Sequence, residues 1–392
     1  MHQHACARRP TFALRHGCGG RQAHALQPIG VHCRQTNHNI SKIDVWGIET
    51  PSVHGRRVVS IQSAEGLKSY LDPIESSVSA FGPATVANLG PGFDWLGCAI
   101  DGEGDIVTAR VLEEAAPGEV VIESIEGDGG RLSLDAAQNC AGIAAIETVK
   151  LFAAVPSCGI GITLKKGLPL GSGMGSSAAS AAAAAVAVNA LFGNPLSKEA
   201  LVGPGLISES TVSGFHADNI APAVLGGFVL VRSCDPLDLQ ALTYGSDDLF
   251  FVLVNPKFEA PTAEMRAVLP KEVPMASVVN NSSMGATLVA GILEGRAPLV
   301  GRALDSDWII EPVRGPLIPG FMDVKKAAKE AGAFGCTISG AGPTAVAVVE
   351  NEQVGQRVME AMQRAFKSSG NLETNSAKIV KLDQIGARVV AL

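Results

Sequence analysis

A chain of 392 residues with 46% apolar and 18% charged residues can bury a sizeable core and suits two domains. Its formal net charge of −7 argues against a general nucleic-acid-binding or anionic-membrane-binding surface, so any polyphosphate must be held by local donors. Eight scattered cysteines form no C-x-x-C pair, and Cys98, Cys140, Cys158, Cys234 and Cys336, in apolar or glycine-rich settings, read as buried free thiols.

From Met1 to Lys42 there is no Asp or Glu, while Arg8, Arg9, Arg15, Arg21 and Arg34 are present. That is the composition of an organelle transit peptide. Seven of the eight histidines fall between His2 and His54, but their irregular spacing speaks against a metal site. Residues 1–77 are therefore expected to form a disordered or cleaved leader, with a cytoplasmic protein as the alternative. Val78 to Gly97 predicts a strand followed by an irregular glycine turn, in which Asn88 and Asp94 are aimed either at one ligand or only at their own backbone. Strands are expected over Asp105–Arg110 and Glu119–Ile125, then a helix opening at Asn139 and running to about Phe152. A further strand over Gly159–Leu164 leads into the stretch around which the chain is organised.

That stretch is Pro169-Leu170-Gly171-Ser172-Gly173-Met174-Gly175-Ser176-Ser177, followed by an alanine run to Phe192. Its glycines permit backbone turns that a Cβ forbids, and alanine is the strongest helix former. A glycine loop emptying into a helix N-terminus concentrates unpaired N–H groups and the positive end of the helix dipole at one place, which suits phosphate. Ser176 and Ser177 add hydroxyls able to bond phosphate or complete a magnesium shell. The spacing Gly171-x-Gly173-x-Gly175 is not the dinucleotide Gly-x-Gly-x-x-Gly, and no lysine sits inside the loop as a Walker sequence requires. A glycine turn with no ligand, before a tightly packed helix, is the alternative.

Glu209 to Asn219 brings together Glu209, His216, Asp218 and Asn219, and His216 is either a structural histidine or a ligand contact. The composition shift over Cys234 to Asp238 reads as a domain boundary. Beyond it come a buried strand over Leu249–Val254, a helix starting at Thr262, and helical segments around Met284–Leu293 and Pro298–Leu304. Glu311 to Gly320 is too proline-rich for regular structure, so Arg314 is either surface filler or an aimed cation. A helix over Met322–Ala331 and strands at Cys336–Ile338 and Ala345–Val349, joined by the glycine turn Ser339–Thr344, complete the pattern.

The runs Ala84–Asp94, Gly167–Gly173, His216–Pro222 and Gly335–Thr344, in this order, resemble the motifs of the GHMP small-molecule kinases. Within that family the chain is most similar, from about Val78 to Ala391, to its plant homoserine kinase branch. The resemblance implies an α+β, two-domain fold: a ribosomal protein S5 domain 2-like N-terminal domain (78–240) and a ferredoxin-like C-terminal domain (241–392). It implies transfer of the ATP γ-phosphoryl group to the hydroxyl of L-homoserine, in threonine biosynthesis, in a plastid protein that forms a homodimer. By position, Pro169 and Gly171 to Ser177, including Ser172, Gly173, Met174, Gly175 and Ser176, cradle the ATP phosphates, and Asn139 lies near the adenine. Ser177 and Glu209 hold Mg²⁺. Asn88, Asp94 and His216 face homoserine, Arg266 and Arg314 take its carboxylate, and Thr262 lies beside the transferring phosphate.

Asn219 stands where mevalonate-type relatives place a catalytic Asp, which implies that no protein general base is used. Three departures from the family pattern carry expectations: Trp95 replaces a Phe, Pro204 between two glycines should break or kink the helix before Glu209, and Gly285 and Gly291 should weaken another helix. The alternatives are a GHMP kinase acting on another alcohol and a catalytically weak relative that binds ligand for regulation.

Overall fold

The computed structural model describes residues 70–212 and 214–391. In chain order the first half contains β1 (Tyr70–Leu71), β2 (Ser77–Ala87), β3 (Leu96–Leu112), β4 (Val120–Glu126), α1 (Cys140–Lys150), β5 (Val155–Pro156), β6 (Gly159–Lys165), α2 (Ser176–Leu191), α3 (Val202–Ser210), α4 (Ile220–Leu225), β7 (Phe228–Cys234) and β8 (Leu237–Leu242). There follow β9 (Phe250–Pro256), α5 (Thr262–Ala267), α6 (Met275–Leu293), α7 (Ala297–Leu304), α8 (Glu311–Arg314) and α9 (Phe321–Glu330). The chain closes with β10 (Gly335–Ile338), β11 (Ala345–Val349), α10 (Glu352–Gly370), β12 (Thr374–Val380) and β13 (Arg388–Val390).

Two sheets organise these elements. The first runs β13-β2-β3-β6-β4, with β7 and β8 continuing from the N-terminal end of β3, and the second runs β10-β11-β9-β12. In the first sheet only the β4–β6 pairing is parallel, and all pairings in the second are antiparallel. Helix α2 lies against the first sheet with every residue from Ala178 to Leu191 buried. Its alanines allow the two backbones to meet: a Cβ at Gly82 on β2 would sit 2.1 Å from the Ala179 carbonyl oxygen. Helix α10 covers the second sheet through Val354, Val358, Met362 and Phe366, an apolar stripe at helical spacing. A shared apolar cluster, including Val86, Leu96, Met174, Phe251, Leu288 and Val346, joins the two halves.

Several expectations are corrected here. The first expected segment lies outside the described residues only to position 69. Residues 70–77 belong to the fold, with β1 pairing β5 and the Ile74 N–H donating to Leu191 O at 2.9 Å. The supposed boundary at Cys234–Asp238 is the turn of the β7–β8 hairpin, so position 240 falls inside a strand of the first sheet. The C-terminal β13 also returns to that sheet, alongside β2. The proline-rich stretch is regular as far as Leu317: α8 is followed by a 3₁₀ turn over Gly315–Leu317, because Pro312 and Pro316 each sit in a first turn, where the missing N–H costs nothing. Pro204 is absorbed for the same reason, lying in the first turn of α3, and the helix continues to Glu209 without a break. Of the five cysteines, Cys98 and Cys336 are buried and the other three are half-buried.

Helix α6 runs unbroken through Gly285 and Gly291. A Cβ at Gly285 would lie 3.0 Å from Trp95 Cζ2, and one at Gly291 would lie 3.0 Å from the Val300 N. The enlarged aromatic ring at 95 and the glycine at 285 therefore fit each other.

Candidate active site

The glycine loop between β6 and α2 holds its shape through three left-handed residues, Gly171, Gly173 and Gly175, with φ of 65°, 79° and 64°. Two are also places of close approach. A Cβ on Gly175 would meet Thr85 Oγ1 at 1.9 Å, and one on Gly173 would meet Ser339 O at 2.5 Å. At Gly171 nothing lies within 4 Å, since that position faces the open cavity. Gly175 caps α2 without a side-chain hydrogen bond. The Ala179 N–H reaches Gly175 O at 2.9 Å, whereas among the described residues no backbone carbonyl receives the N–H groups of Ser176, Ser177 and Ala178. These amides and the helix dipole face one cavity of about 380 Å³, a volume suited to a small-molecule ligand.

The loop is stapled from beneath by residues the sequence reading passed over. Asp105 on β3 is fully buried; its Oδ1 accepts the N–H groups of Gly167 and Leu168 at 2.9 and 3.2 Å, and its Oδ2 accepts Ser180 Oγ–H at 2.6 Å. Lys166 forms an ion pair with the same carboxylate and donates to Ser176 O at 2.9 Å. The signal was the strand alternation, in which Leu164 and Lys166 are buried and Lys165 between them is exposed.

At the other end of the cavity lies the turn between β2 and β3. Asn88, Leu89 and Asp94 adopt positive φ. Asn88 Oδ1 accepts the Asp94 N–H at 3.0 Å while Nδ2 donates to Gly340 O at 2.8 Å, so one amide ties this turn to the turn between β10 and β11. Asp94 receives Arg266 of α5 in a two-pronged ion pair, with Nη–O distances of 2.7 and 3.1 Å. Arg314, from α8, is 2% exposed and donates from Nε to Met265 O at 2.9 Å. Both guanidinium groups face the Phe93 ring, with Cζ 5.6 Å (Arg266) and 5.0 Å (Arg314) from its centroid. Burial, together with the charge of Arg266, lowers the Arg314 pKa to about 10.

Between these ends, His216 Nδ1 lies 2.9 Å from Asp218 Oδ1. Burial pulls the His216 pKa down, but the hydrogen bond and charge of Asp218 outweigh it and the net shift is upward. Thr85 Oγ–H donates to Asn219 Oδ1 at 2.7 Å, which aims that amide. Thr262, at the start of α5, lines the same cavity, as do Ser177 and the buried Glu209. One carboxylate and one hydroxyl, with room for phosphate and water oxygens, are the donor set of a hard cation such as Mg²⁺.

Of the expected site residues, Asn88, Asp94, Asn139, Gly171, Ser172, Gly173, Gly175, Ser176, Ser177, Glu209, His216, Asn219, Thr262, Arg266 and Arg314 line this one cavity. Two do not. Met174 is 1% exposed, with its side chain packed in the shared apolar cluster. Pro169 lines a neighbouring depression beside Asn255 and Lys257. Asn139 already has hydrogen bonds at both ends of its amide, capping α1 through the Ala141 N–H at 2.9 Å and donating to Ser133 O at 3.0 Å. Asp218, Thr85 and Phe93 were not assigned roles from the sequence, because nothing in their local pattern separates them from core or turn residues.

A glycine loop opening into a buried alanine helix beside the first sheet, with a second antiparallel sheet closing the site, defines a class, and comparison with known proteins identifies it. Residues 141–227 match the family model for the GHMP kinases N terminal domain, and residues 288–368 match that for the GHMP kinases C terminal domain. A homoserine kinase of Arabidopsis thaliana is 60% identical over 320 residues, covering 81% of this chain and 86% of its own. One from Chloroherpeton thalassium is 45% identical, covering 76% of this chain and 95% of its own. The crystal structure of homoserine kinase from Cytophaga hutchinsonii superimposes with a TM-score of 0.76 at 40% identity, covering 82% of this chain and 100% of that one. The mevalonate kinase of L. major, at 16% identity and a TM-score of 0.61, shares the fold. The chain belongs to the homoserine kinase family of the GHMP kinases, and is a phosphotransferase.

Proposed function

We propose that this protein transfers the γ-phosphoryl group of ATP to the side-chain hydroxyl of L-homoserine, giving O-phospho-L-homoserine. One observation carries the reading: a single cavity has at one end helix N-terminal amides that bond no carbonyl of the described residues, and Asp94, Arg266 and Arg314 at the other. Homoserine is a zwitterion. Its ammonium suits Asp94, and its carboxylate suits two guanidinium forks. Mevalonate has no amine, so it would offer Asp94 no ammonium in exchange for its pair with Arg266. The direct Asp94–Arg266 pair would be exchanged for two pairs through the substrate.

In this reading Gly171 to Ser177 cradle the triphosphate through backbone N–H groups, Asn139 borders the adenine, and Asn88 and His216 orient homoserine. Ser177 and Glu209 would hold Mg²⁺, which supplies charge neutralisation at the phosphates when bound. Thr262 sits beside the transferring group. Asn219, aimed by Thr85, orients the hydroxyl but cannot accept its proton, so the proton leaves through phosphate oxygens or water. Phosphoryl transfer has a loose transition state in most analyses, so positioning and charge neutralisation can carry the acceleration. Asn219→Ala should then cut kcat well beyond the effect of a distant surface change; an equal effect would remove Asn219 from the mechanism.

The decisive assay gives the purified full-length chain Mg-ATP and, separately, homoserine, mevalonate or galactose. Phosphorylation of homoserine alone is expected. Turnover of another alcohol, or ligand binding without turnover, would overturn the reading. We infer a plastid location, a reading supported by the arginine-bearing, acid-free first 42 residues. Cell fractionation tests it, and light scattering tests the homodimer expected from the family resemblance. Among the described residues no helix is long and apolar enough to cross a membrane.

A further inference from the structure

The two arginines of the site are held in different ways. Arg266 has the carboxylate of Asp94, whereas Arg314 has no ion pair among the described residues. Its side-chain contacts are the carbonyls of Met265 at 2.9 Å and Gly340 at 3.4 Å, and the facing Phe93 ring. A buried cation with no paired anion has to be fixed and compensated from behind. It rides on α8, four residues long, and a helix of that length has no stability of its own.

Behind α8 stands Asp307, 7% exposed. Its Oδ1 accepts the N–H groups of Ile309 and Ile310 at 2.8 and 3.1 Å, and its Oδ2 accepts that of Glu311 at 2.7 Å. A fourth donor comes from another element: Asn281 Nδ2, on α6, reaches Oδ1 at 2.7 Å, while Asn281 Oδ1 accepts the Trp308 N–H at 2.9 Å. The Arg314 N–H in turn donates to Ile310 O at 3.0 Å, so the turn fixed by Asp307 carries Arg314 directly. Glu311 braces the same turn from its other side, accepting Thr337 Oγ–H at 2.8 Å and Lys325 Nζ–H. Burial and the charge of Arg266 lower the Arg314 pKa, and the charges of Asp94, Asp218 and Asp307, in that order, oppose them.

We propose that Asp307, clamped by Asn281, is the positioning residue for Arg314. It fixes the turn from which the guanidinium reaches the cavity. An ordinary helix cap needs one or two backbone donors. Four donors, one of them from α6, on a carboxylate that serves a turn bearing a site arginine, point to a second task. The inference rests on the reading of Arg314 as a carboxylate ligand.

The test measures homoserine KM, ATP KM, kcat and melting temperature for Asp307→Asn, Asn281→Ala, Arg314→Ala and the double variant Asp307→Asn/Arg314→Ala. Asp307→Asn should raise homoserine KM about tenfold, and Asn281→Ala about threefold, on the scale of one hydrogen bond to a charged group. In both, ATP KM should stay within about twofold, since the amide end of the cavity is untouched. Because Asp307 acts through Arg314, the double variant should raise homoserine KM no further than Arg314→Ala alone. A lowered melting temperature with unchanged homoserine KM in Asp307→Asn and Asn281→Ala, while Arg314→Ala raises it, overturns the positioning role only. Additive effects in the double variant do the same. An Arg314→Ala protein with normal homoserine KM overturns both the reading of the site and this inference.

Discussion

The two ends of the cavity recognise charge by opposite means. At the loop before α2, donors are main-chain N–H groups, and the sequence supplies mainly the glycines that let the backbone bend. At the far end the backbone is subordinate: Asp94, Arg266 and Arg314 come from three separated segments and meet around Phe93. Main-chain recognition tolerates no added Cβ where the loop touches Thr85, yet is indifferent to most side-chain chemistry. Side-chain recognition depends on charge, and on whatever aims that charge.

The largest effect should come from breaking the backbone end. Gly175→Ala places a Cβ 1.9 Å from Thr85 Oγ1 and 2.9 Å from Asn219 Oδ1, at a φ of +64°. Displacement by an ångström can cost about a hundredfold in rate. We expect kcat/KM for ATP to fall at least that far, as steady-state kinetics will show. At the charged end, Arg266→Ala should raise homoserine KM by about 10- to 100-fold, the worth of a charge-assisted hydrogen-bond pair. Its ATP KM should hardly move; a parallel rise in both constants would show that the two ends are not separate.

A smaller effect sharpens the comparison away from the ligands. Gly285→Ala alone should destabilise the fold in urea titration, because the new Cβ meets the rigid Trp95 ring at 3.0 Å. In a Trp95→Phe background the same change should stabilise it by up to about 1 kcal/mol, the helix-propensity gain of alanine over glycine. The smallest effect is a pH dependence. The folded pKa of His216 is raised, so its stabilising contribution is present below the unfolded value near 6.5 and is lost as pH rises through the folded value. The stability difference between the wild type and His216→Gln should therefore be greater at about pH 6 than at about pH 8.5, measured by urea unfolding at both.

The same contrast explains what could be read in advance. The glycine loop, α2 and the turn carrying Asn88 and Asp94 are contiguous, so short-range pattern was enough. Trp95 and Gly285 looked like two separate departures from a pattern, and only their contact made them one fitted pair. Pro204 looked disruptive because a helix start at Val202 leaves no strong local mark, while the break expected near position 240 mistook a hairpin turn for a linker. Asp105, Lys166 and Asp307 gave no motif. Asp105 and Lys166 work through partners in other segments, Asp307 joins its own turn to Asn281 on α6, and a buried carboxylate is indistinguishable in sequence from an exposed one.

By itself, the sequence determined that a glycine-bent loop would feed a buried alanine helix, and that polar residues would gather on three turns. Those properties follow from backbone sterics and helix propensity, which act over a few residues. Only the tertiary structure decided that Arg266 and Arg314 face one ring, that Asp94 pairs with the first and that Asp307 stands behind the second. Charges from distant segments acquire meaning when packing removes water and sets the distances between them.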